Sequence, residues 1–376
     1  MKPYEAEIRR RLWWTLLILD RFQCFYLRRP YIIHEHHCDV AIPLNLDQLE
    51  LRDIADLSGK TLEQPTDYTF QILQIHWAQI IGRLWDRCFS IEIPSYRKII
   101  DLEDEVRRYE LDLPTSFRSQ TVQGALVRPY LIFQNHYLTL QIYHLRIILL
   151  RTFLFIKGDK ETHTEEEEKL VVFHRHAKAV CLTFCKRLLA LHQLVQSQVH
   201  RAQLRWSSLV LWTFDAALAL AFAIVVDPHD DQNEELDEWI ALAESLLQNL
   251  RPYNVIVSSV VEFVAVLRKR TWIVLHPELA ATENTSDPSS TDYGGLSVAF
   301  SYPVGSSMQF VERATTILAR PQPSLLDLLG QKEVDDPSWT TTPAAVYAGN
   351  FPNFDTLCSP TNPQTLDGFL DTCISK

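Results

Sequence analysis

The sequence predicts an all-α chain: a large multi-helix regulatory domain over residues 1–276, followed by a largely disordered acidic tail over residues 277–376. Three observations carry this. Through the first part apolar residues recur at helical spacing, and no stretch alternates as a strand would. Residues 1–276 hold four of the ten glycines and nine of the nineteen prolines, and residues 277–376 hold the other six and ten, so only the first part is free enough of helix breakers. Charge divides at the same place: of the formal net charge of −11, residues 277–376 carry −8 (twelve acidic and four basic groups), which leaves −3 for the rest.

Each element follows from its own pattern. Glu5 to Arg28 is expected as a helix, with Leu12, Trp13, Leu16, Leu17, Cys24 and Leu27 at helical spacing, and Pro30 stops it. An extended stretch runs to Ile42-Pro43, then a polar connection to about Gln64. Thr66 or Asp67 is placed to cap the next helix, which runs through Ile72, Ile75, Ile80, Leu84 and Phe89. A shorter one spans Arg97 to Glu110, closed by Pro114. Tyr130 to Phe155 follows, and then a helix opened by the acidic run Glu165 to Glu168, where negative charge complements the helix N-terminus. Trp206 to Val226, Glu234 to Leu250 and Tyr253 to Trp272 complete eight or so helices around a shared core.

A chain this acidic is a poor nucleic-acid binder by itself, because neutralising phosphate takes clustered Lys and Arg. The run Arg9, Arg10, Arg11 is the local exception, and Glu5 and Glu7 stand near enough to offset it. Seven cysteines at irregular spacing suggest a reducing intracellular setting rather than a disulfide framework. The N-terminus lacks the apolar run of a signal peptide. Ser207 to Val226 is apolar enough to raise a membrane span, but Asp215 in its middle and Pro228 beyond it favour a buried core helix, and no membrane association is expected.

After Pro277, residues 282–307 are dominated by Ser, Thr, Asp, Gly and Pro, a composition that cannot offset the entropy of ordering. Near the end Phe351, Phe354, Leu357, Phe369 and Leu370 alternate with Asp355, Asp367 and Asp371. That pattern suits an activation segment that folds onto a coactivator groove.

The strongest enzyme-like pattern is acidic. Asp230, Asp231 and Glu234 have the form DDxxE, and Asn254, Ser258 and Glu262 the form NxxxSxxxE. On a helical protein the pair resembles the motifs of class I terpene cyclases, which gather magnesium around a diphosphate. The two motifs lie only 24 residues apart, however, and Asp227-Pro228 puts Asp230 in a loop or cap. Two His/Cys groups, His34, His36, His37 and Cys38, and His174, Cys181 and Cys185, lack spacing that closes a tetrahedral site. There is no GxSxG, P-loop or GxGxxG. The expectation is a protein without catalytic residues, resident cofactor or metal.

The most specific signal is N-terminal. Glu7-Ile8-Arg9-Arg10-Arg11-Leu12-Trp13-Trp14 leads to Leu19-Asp20, then Arg29-Pro30, then Asp39-Val40-Ala41-Ile42-Pro43. This resembles the middle homology region of fungal zinc-cluster transcription factors, in which an RRxxWW helix with a following Asp precedes a basic-Pro turn and a D-V-x-[IL]-P segment. Later pieces agree in order: Leu102, Tyr109 and Leu113-Pro114 look like the family's L…W…LP unit, with Tyr for Trp. Tyr143-His144 with Ile148 to Leu154 looks like its Y-H…LLRPFL helix, with Thr152 for Pro. The resemblance covers about residues 5–276.

It implies a nuclear transcription regulator of metabolic or secondary-metabolite genes. Arg10, Arg11, Trp13, Trp14, Asp20, Arg29, Pro30, Asp39 and Pro43 would then be scaffold rather than active site. Transcription machinery or coactivators would be partners, and a related factor could form a dimer with it. On their own terms, Trp13 and Leu16 are expected to bury one face while Trp14 points elsewhere. Asp20 is expected to accept hydrogen bonds from Arg28, Arg29 or backbone amides. The family's six-cysteine, two-zinc DNA-reading module has no counterpart in the sequence. The resemblance thus implies part of a longer protein or a truncated relative, with zinc and DNA entering only through that module, and a Trp13 helix that exposes an apolar face. A third reading is a DNA-binding-deficient partner that titrates a full-length factor.

Overall fold

The computed structural model describes residues 2–27, 29–53, 58–88, 96–118, 128, 130–155, 165–198 and 204–278. The expected acidic tail, with Phe351, Phe354, Leu357, Phe369 and Leu370, lies outside the described residues. Among the described residues there are nine α-helices and no strand. They fall into two compact units, the first running to Leu138 and the second starting at Thr139.

In the first unit α1 (Pro3–Leu27) packs on α2 (Thr69–Cys88), which packs on α3 (Tyr96–Leu111). Trp14, Leu17 and Ile18 of α1 meet Ile75 and Ala78 of α2, with Trp13, Phe22, Ile33 and Val40 partly buried around them. The buried stripe of α1 is therefore Trp14–Leu17–Ile18–Arg21, while Leu12 and Leu16 are exposed. That reverses the expected assignment of Trp13/Leu16 and Trp14: both stripes are apolar, and the tie is broken by polar contacts described below. α2 and α3 run antiparallel, since Tyr109 donates to the Leu73 carbonyl (2.9 Å) whereas Glu105 pairs with Arg83 and Arg87 further along α2. After Leu113-Pro114 the one-turn α4 (Thr115–Arg118) stacks Phe117 on Phe70.

α5 (Tyr130–Leu150) ends in a 3-10 turn, Arg151–Phe155, and the division between the units falls within it. In the second unit α7 (Ser207–Val226) is surrounded by α6 (Glu165–Gln198), α8 (Asn233–Leu250) and α9 (Val257–Leu275). α7 is long and apolar enough to cross a membrane, but fifteen of its twenty residues are buried by the rest of the protein. Five alanines from Ala216 to Ala223 let its neighbours approach closely from several sides, as a helix buried all round requires. Its Asp215 accepts from His144 (2.7 Å) and Arg151 (3.3 Å), so the one acid in an apolar helix is charge-paired.

A second polar knot ties α6 to α7 and α8. The Thr213 hydroxyl gives its hydrogen to the Leu209 carbonyl, so at His192 Nδ1 (2.6 Å) it can only accept. His192 is then the neutral Nδ1–H tautomer, and its Nε2 accepts from Gln196, which also donates to the Leu246 carbonyl. Burial pushes the His192 pKa down to about 3, in keeping with a neutral ring.

Candidate functional site

α1 grips the extended segment of residues 29–46 through backbone atoms. Glu7, Arg10, Arg11 and Trp14, at i, i+3, i+4 and i+7, share one helix face. The fully buried Glu7 carboxylate pairs with Arg10 and Arg11 and accepts the Leu44 N–H at 2.9 Å. Arg11 donates to the Leu44 and Leu46 carbonyls (3.3 Å each) and lies over the Tyr68 ring at 3.9 Å. The Trp14 indole donates to the Ala41 carbonyl at 2.9 Å, and Trp13 packs edge-on against Trp14. These contacts turn Trp14 inward: a buried indole N–H needs an acceptor, and Ala41 provides it.

Two turns on, Asp20 accepts the Ile32 and Ile33 amides and the neighbouring Arg21 guanidinium (3.2 Å). Backbone amides were expected partners; the arginine is Arg21, not Arg29. Arg21 is almost fully buried. It donates to the Ile33 carbonyl (2.7 Å) and lies 3.6 Å over the Tyr31 ring, whose hydroxyl bonds Asp86 of α2. Gly82 makes this possible, because a β-carbon there would stand 2.8 Å from Arg21 Nε.

The other motif residues have quieter places. Arg29 is exposed with its backbone N–H on the Cys24 carbonyl, Pro30 is exposed and gives its carbonyl to the Cys24 thiol, Asp39 is exposed, and Pro43 is buried. Just beyond, Asn45 donates to the Thr61 and Gln64 carbonyls and accepts from the Thr66 and Thr69 hydroxyls. Thr66 also accepts the Tyr68 amide on its hydroxyl (3.1 Å) and gives its own N–H to the Thr69 hydroxyl (2.7 Å), so it caps the turn that opens α2, as expected, while anchoring the segment before it. Asp47 pairs with Arg128 (2.9 and 3.0 Å), whose hydrogen bonds hold its carboxyl down at about 2. Sequence reasoning placed Glu7 beside the arginine run, which its pairing with Arg10 and Arg11 bears out, but missed Arg21, Gly82, Asn45 and Asp47. A lone glycine within the apolar pattern of α2 was the one local signal.

The cyclase constellation does not assemble. Thr271 contacts Asp237 and Arg268 contacts Glu244, so α8 and α9 form an antiparallel pair. Asp230, Asp231 and Glu234 stand at the start of α8, while Asn254 lies past its end, about 27 Å away along an eighteen-residue helix. Asn254 precedes α9, so it does not share a helix face with Ser258 and Glu262 as the spacing suggested. It bonds the Ser207 hydroxyl and the Ile256 amide, and Asp230 caps the Gln232 amide and pairs with Lys178. The two motifs serve opposite helix ends, so the magnesium-cluster reading falls.

Among the described residues no three His, Cys, Asp or Glu side chains converge as a metal site. Burial raises the thiol pKa of Cys24, and that of Cys88 to about 12, so neither is a ready nucleophile. The work of the α1 site is mechanical: it fixes the path of the segment from Arg29 to Leu46.

Residues 2–113 match the family model described as "Fungal specific transcription factor domain". The chain is 22% identical over 253 residues to the pyrrolocin cluster transcription factor fsdR of a fungal species, covering 65% of this chain and 31% of that one. It is 26% identical over 160 residues to the Zn(2)-C6 fungal-type transcription factor mpsB of Macrophomina phaseolina, covering 41% and 21%. It is 24% identical over 385 aligned residues to the probable transcription factor lepB of Aspergillus flavus, covering 98% and 63%. The chain thus spans less than two thirds of the length of each of these relatives, which are named as transcription factors and not as enzymes. No solved structure matches it. The α1 clamp lies wholly within residues 2–113, the stretch that matches the model of the fungal-specific transcription factor domain.

Proposed function

We propose that the chain is the regulatory and activation portion of a fungal zinc-cluster transcription regulator, acting in the nucleus on metabolic or secondary-metabolite genes. The observation that supports it most is the α1 clamp. Inside the stretch that matches the family model, Arg11, Trp14 and Asp20 spend their polar groups on holding a segment in place, and none is left presented to a substrate. The name of the pyrrolocin cluster relative supports the class of target genes. In this reading residues 1–276 form the regulatory part. Residues 277–376 contact coactivators or the transcription machinery through Phe351, Phe354, Leu357, Phe369 and Leu370. DNA is reached only through a zinc-cluster module, its own or that of a related factor with which the chain pairs.

The test is a reporter assay with the whole chain fused to a heterologous DNA-binding module. The expected result is reporter output above the module alone, falling back when the five tail residues are replaced by alanine. A stably expressed fusion that leaves output at the level of the module alone refutes the activation reading.

A further inference from the structure

The segment held by α1 carries a short 3-10 turn, Glu35–His37, and with it a histidine run that the clamp leaves unused: His34, His36 and His37. In a 3-10 turn residues i and i+3 eclipse. His34, at the N-cap, and His37, the last residue, therefore share one edge, while His36 is rotated a third of a turn away. The rings of His34 and His37 lie 6.1 Å apart, centre to centre, and meet at 74°. A ring nitrogen bound at about 2.0–2.1 Å puts an ion about 3.2 Å from the ring centre, so two rings can share one when their centres come within roughly 6.4 Å. The pair is inside that limit, and the exposed rings need swing only about 1 Å closer to make a tetrahedral angle at the ion.

The turn is held from within and from its neighbours. The His37 N–H donates to the His34 carbonyl at 3.1 Å, and the Cys38 N–H to the Glu35 carbonyl at 3.0 Å. The Glu35 carboxylate accepts from Gln79 of α2, and Asp20 holds the Ile32 and Ile33 amides. Tyr31, hydrogen-bonded to Asp86, sets its ring 5.0 Å from that of His34. All these partners lie between Asp20 and Asp86, so the pairing of the two rings is set locally.

We propose that His34 and His37 form a two-histidine chelate for a divalent transition ion of the nickel, copper and zinc class. Imidazole suits these ions, whereas calcium and magnesium take oxygen donors, and the one carboxylate in the turn is engaged by Gln79. Two protein ligands leave the remaining positions to water, so the ion is exchangeable, unlike zinc in a closed four-ligand site. Bound, it staples one turn of a segment that α1 otherwise fixes through the main chain. The site is separate from any zinc of a six-cysteine module and stands apart from the transcriptional reading above.

The test is titration of the reduced full chain with nickel(II) from roughly 1 µM to 1 mM, read by paramagnetic broadening of the histidine ring signals in NMR spectra. The His34 and His37 signals should broaden together below about 100 µM. His34→Ala and His37→Ala, at exposed positions where circular dichroism should not change, should each raise the concentration needed to broaden the remaining ring at least about 10-fold. A chelate loses the high effective concentration of its second nitrogen when either ring is removed. His36→Ala should leave the titration as it is. Ring signals that stay sharp to about 1 mM, a titration indifferent to the loss of His34 or His37, or an equal effect from His36→Ala each overturns the proposal.

Discussion

Gly82 lies in the middle of α2, where alanine is favoured over glycine by about 1 kcal/mol, so helix propensity alone predicts that Gly82→Ala stabilises the protein. The structure predicts the opposite sign. The added β-carbon would meet Arg21 Nε at 2.8 Å and Cδ and Cζ at 3.6 Å. Arg21 has nowhere to go: it is 2% exposed, its guanidinium donates to the Ile33 carbonyl at 2.7 Å and to Asp20 at 3.2 Å, and it covers the Tyr31 ring at 3.6 Å. Displacing it sacrifices a charged hydrogen bond, about 1.5–3 kcal/mol, and much of a cation–π contact, about 0.5–2 kcal/mol. Against the propensity gain, the net is a loss of about 2 kcal/mol. Urea denaturation followed by circular dichroism and tryptophan fluorescence measures it. Arg21→Met supplies the control, because once the guanidinium is gone Gly82→Ala should stabilise by up to about 1 kcal/mol. A Gly82→Ala that stabilises the wild type, or costs the same in both backgrounds, refutes the reasoning.

Three further outcomes are expected. Glu7→Ala removes the acceptor of the Leu44 amide, so hydrogen exchange at Leu44 should quicken about 30-fold, equivalent to about 2 kcal/mol, while amides of α8 keep their rates. Burial lowers the pKa of His136 and His174 to about 4 and that of His192 to about 3, from an ordinary 6.5. The folded rings stay neutral while the unfolded chain takes up protons. Their contribution is therefore intact above about pH 6.5 and is lost as pH falls towards 4 and 3, by up to about 1.4 kcal/mol per pH unit per histidine. Urea midpoints between pH 7 and 5 should fall, and His192→Gln should flatten the slope. Asp215→Asn weakens the bonds from His144 and Arg151 within the second unit and should cost about 2–4 kcal/mol; a loss below about 0.5 kcal/mol in the urea midpoint would show that the pairing contributes little.

The helices were largely legible because each rests on local periodicity and on breakers: α1, α3, α7 and α8 begin and end within a few residues of where Pro30, Pro114, Pro228 and the apolar spacing put them. The exceptions have local causes. The last turn of the expected Tyr130–Phe155 helix tightens to 3-10, and residues 253–256 form a turn before α9. What the sequence hid was which apolar stripe of α1 faces inward. Leu12–Leu16–Leu19 and Trp14–Leu17–Ile18 are equally apolar, and the choice is made by Glu7 and Arg21 reaching chain atoms of Leu44 and Ile33, 37 and 12 residues away. Periodicity carries no information on such pairings. Nor does it mark the division within α5, where residues 140–150 are buried on every side and no polar face betrays a change of neighbours.

The clamp also sets which changes the segment can absorb over evolutionary time. The hydrogen bonds described above between α1 and the segment end on the segment's main chain: the amides of Arg29, Ile32, Ile33 and Leu44, and the carbonyls of Pro30, Ile33, Ala41, Leu44 and Leu46. Exposed positions such as Ile32, Asp39, Ala41 and Ile42 are thus free to diversify in side chain while the path of the chain stays the same. The exclusion that remains is chemical rather than steric. Proline, which has no N–H to give, is barred from 29, 32, 33 and 44, whatever else drifts around it.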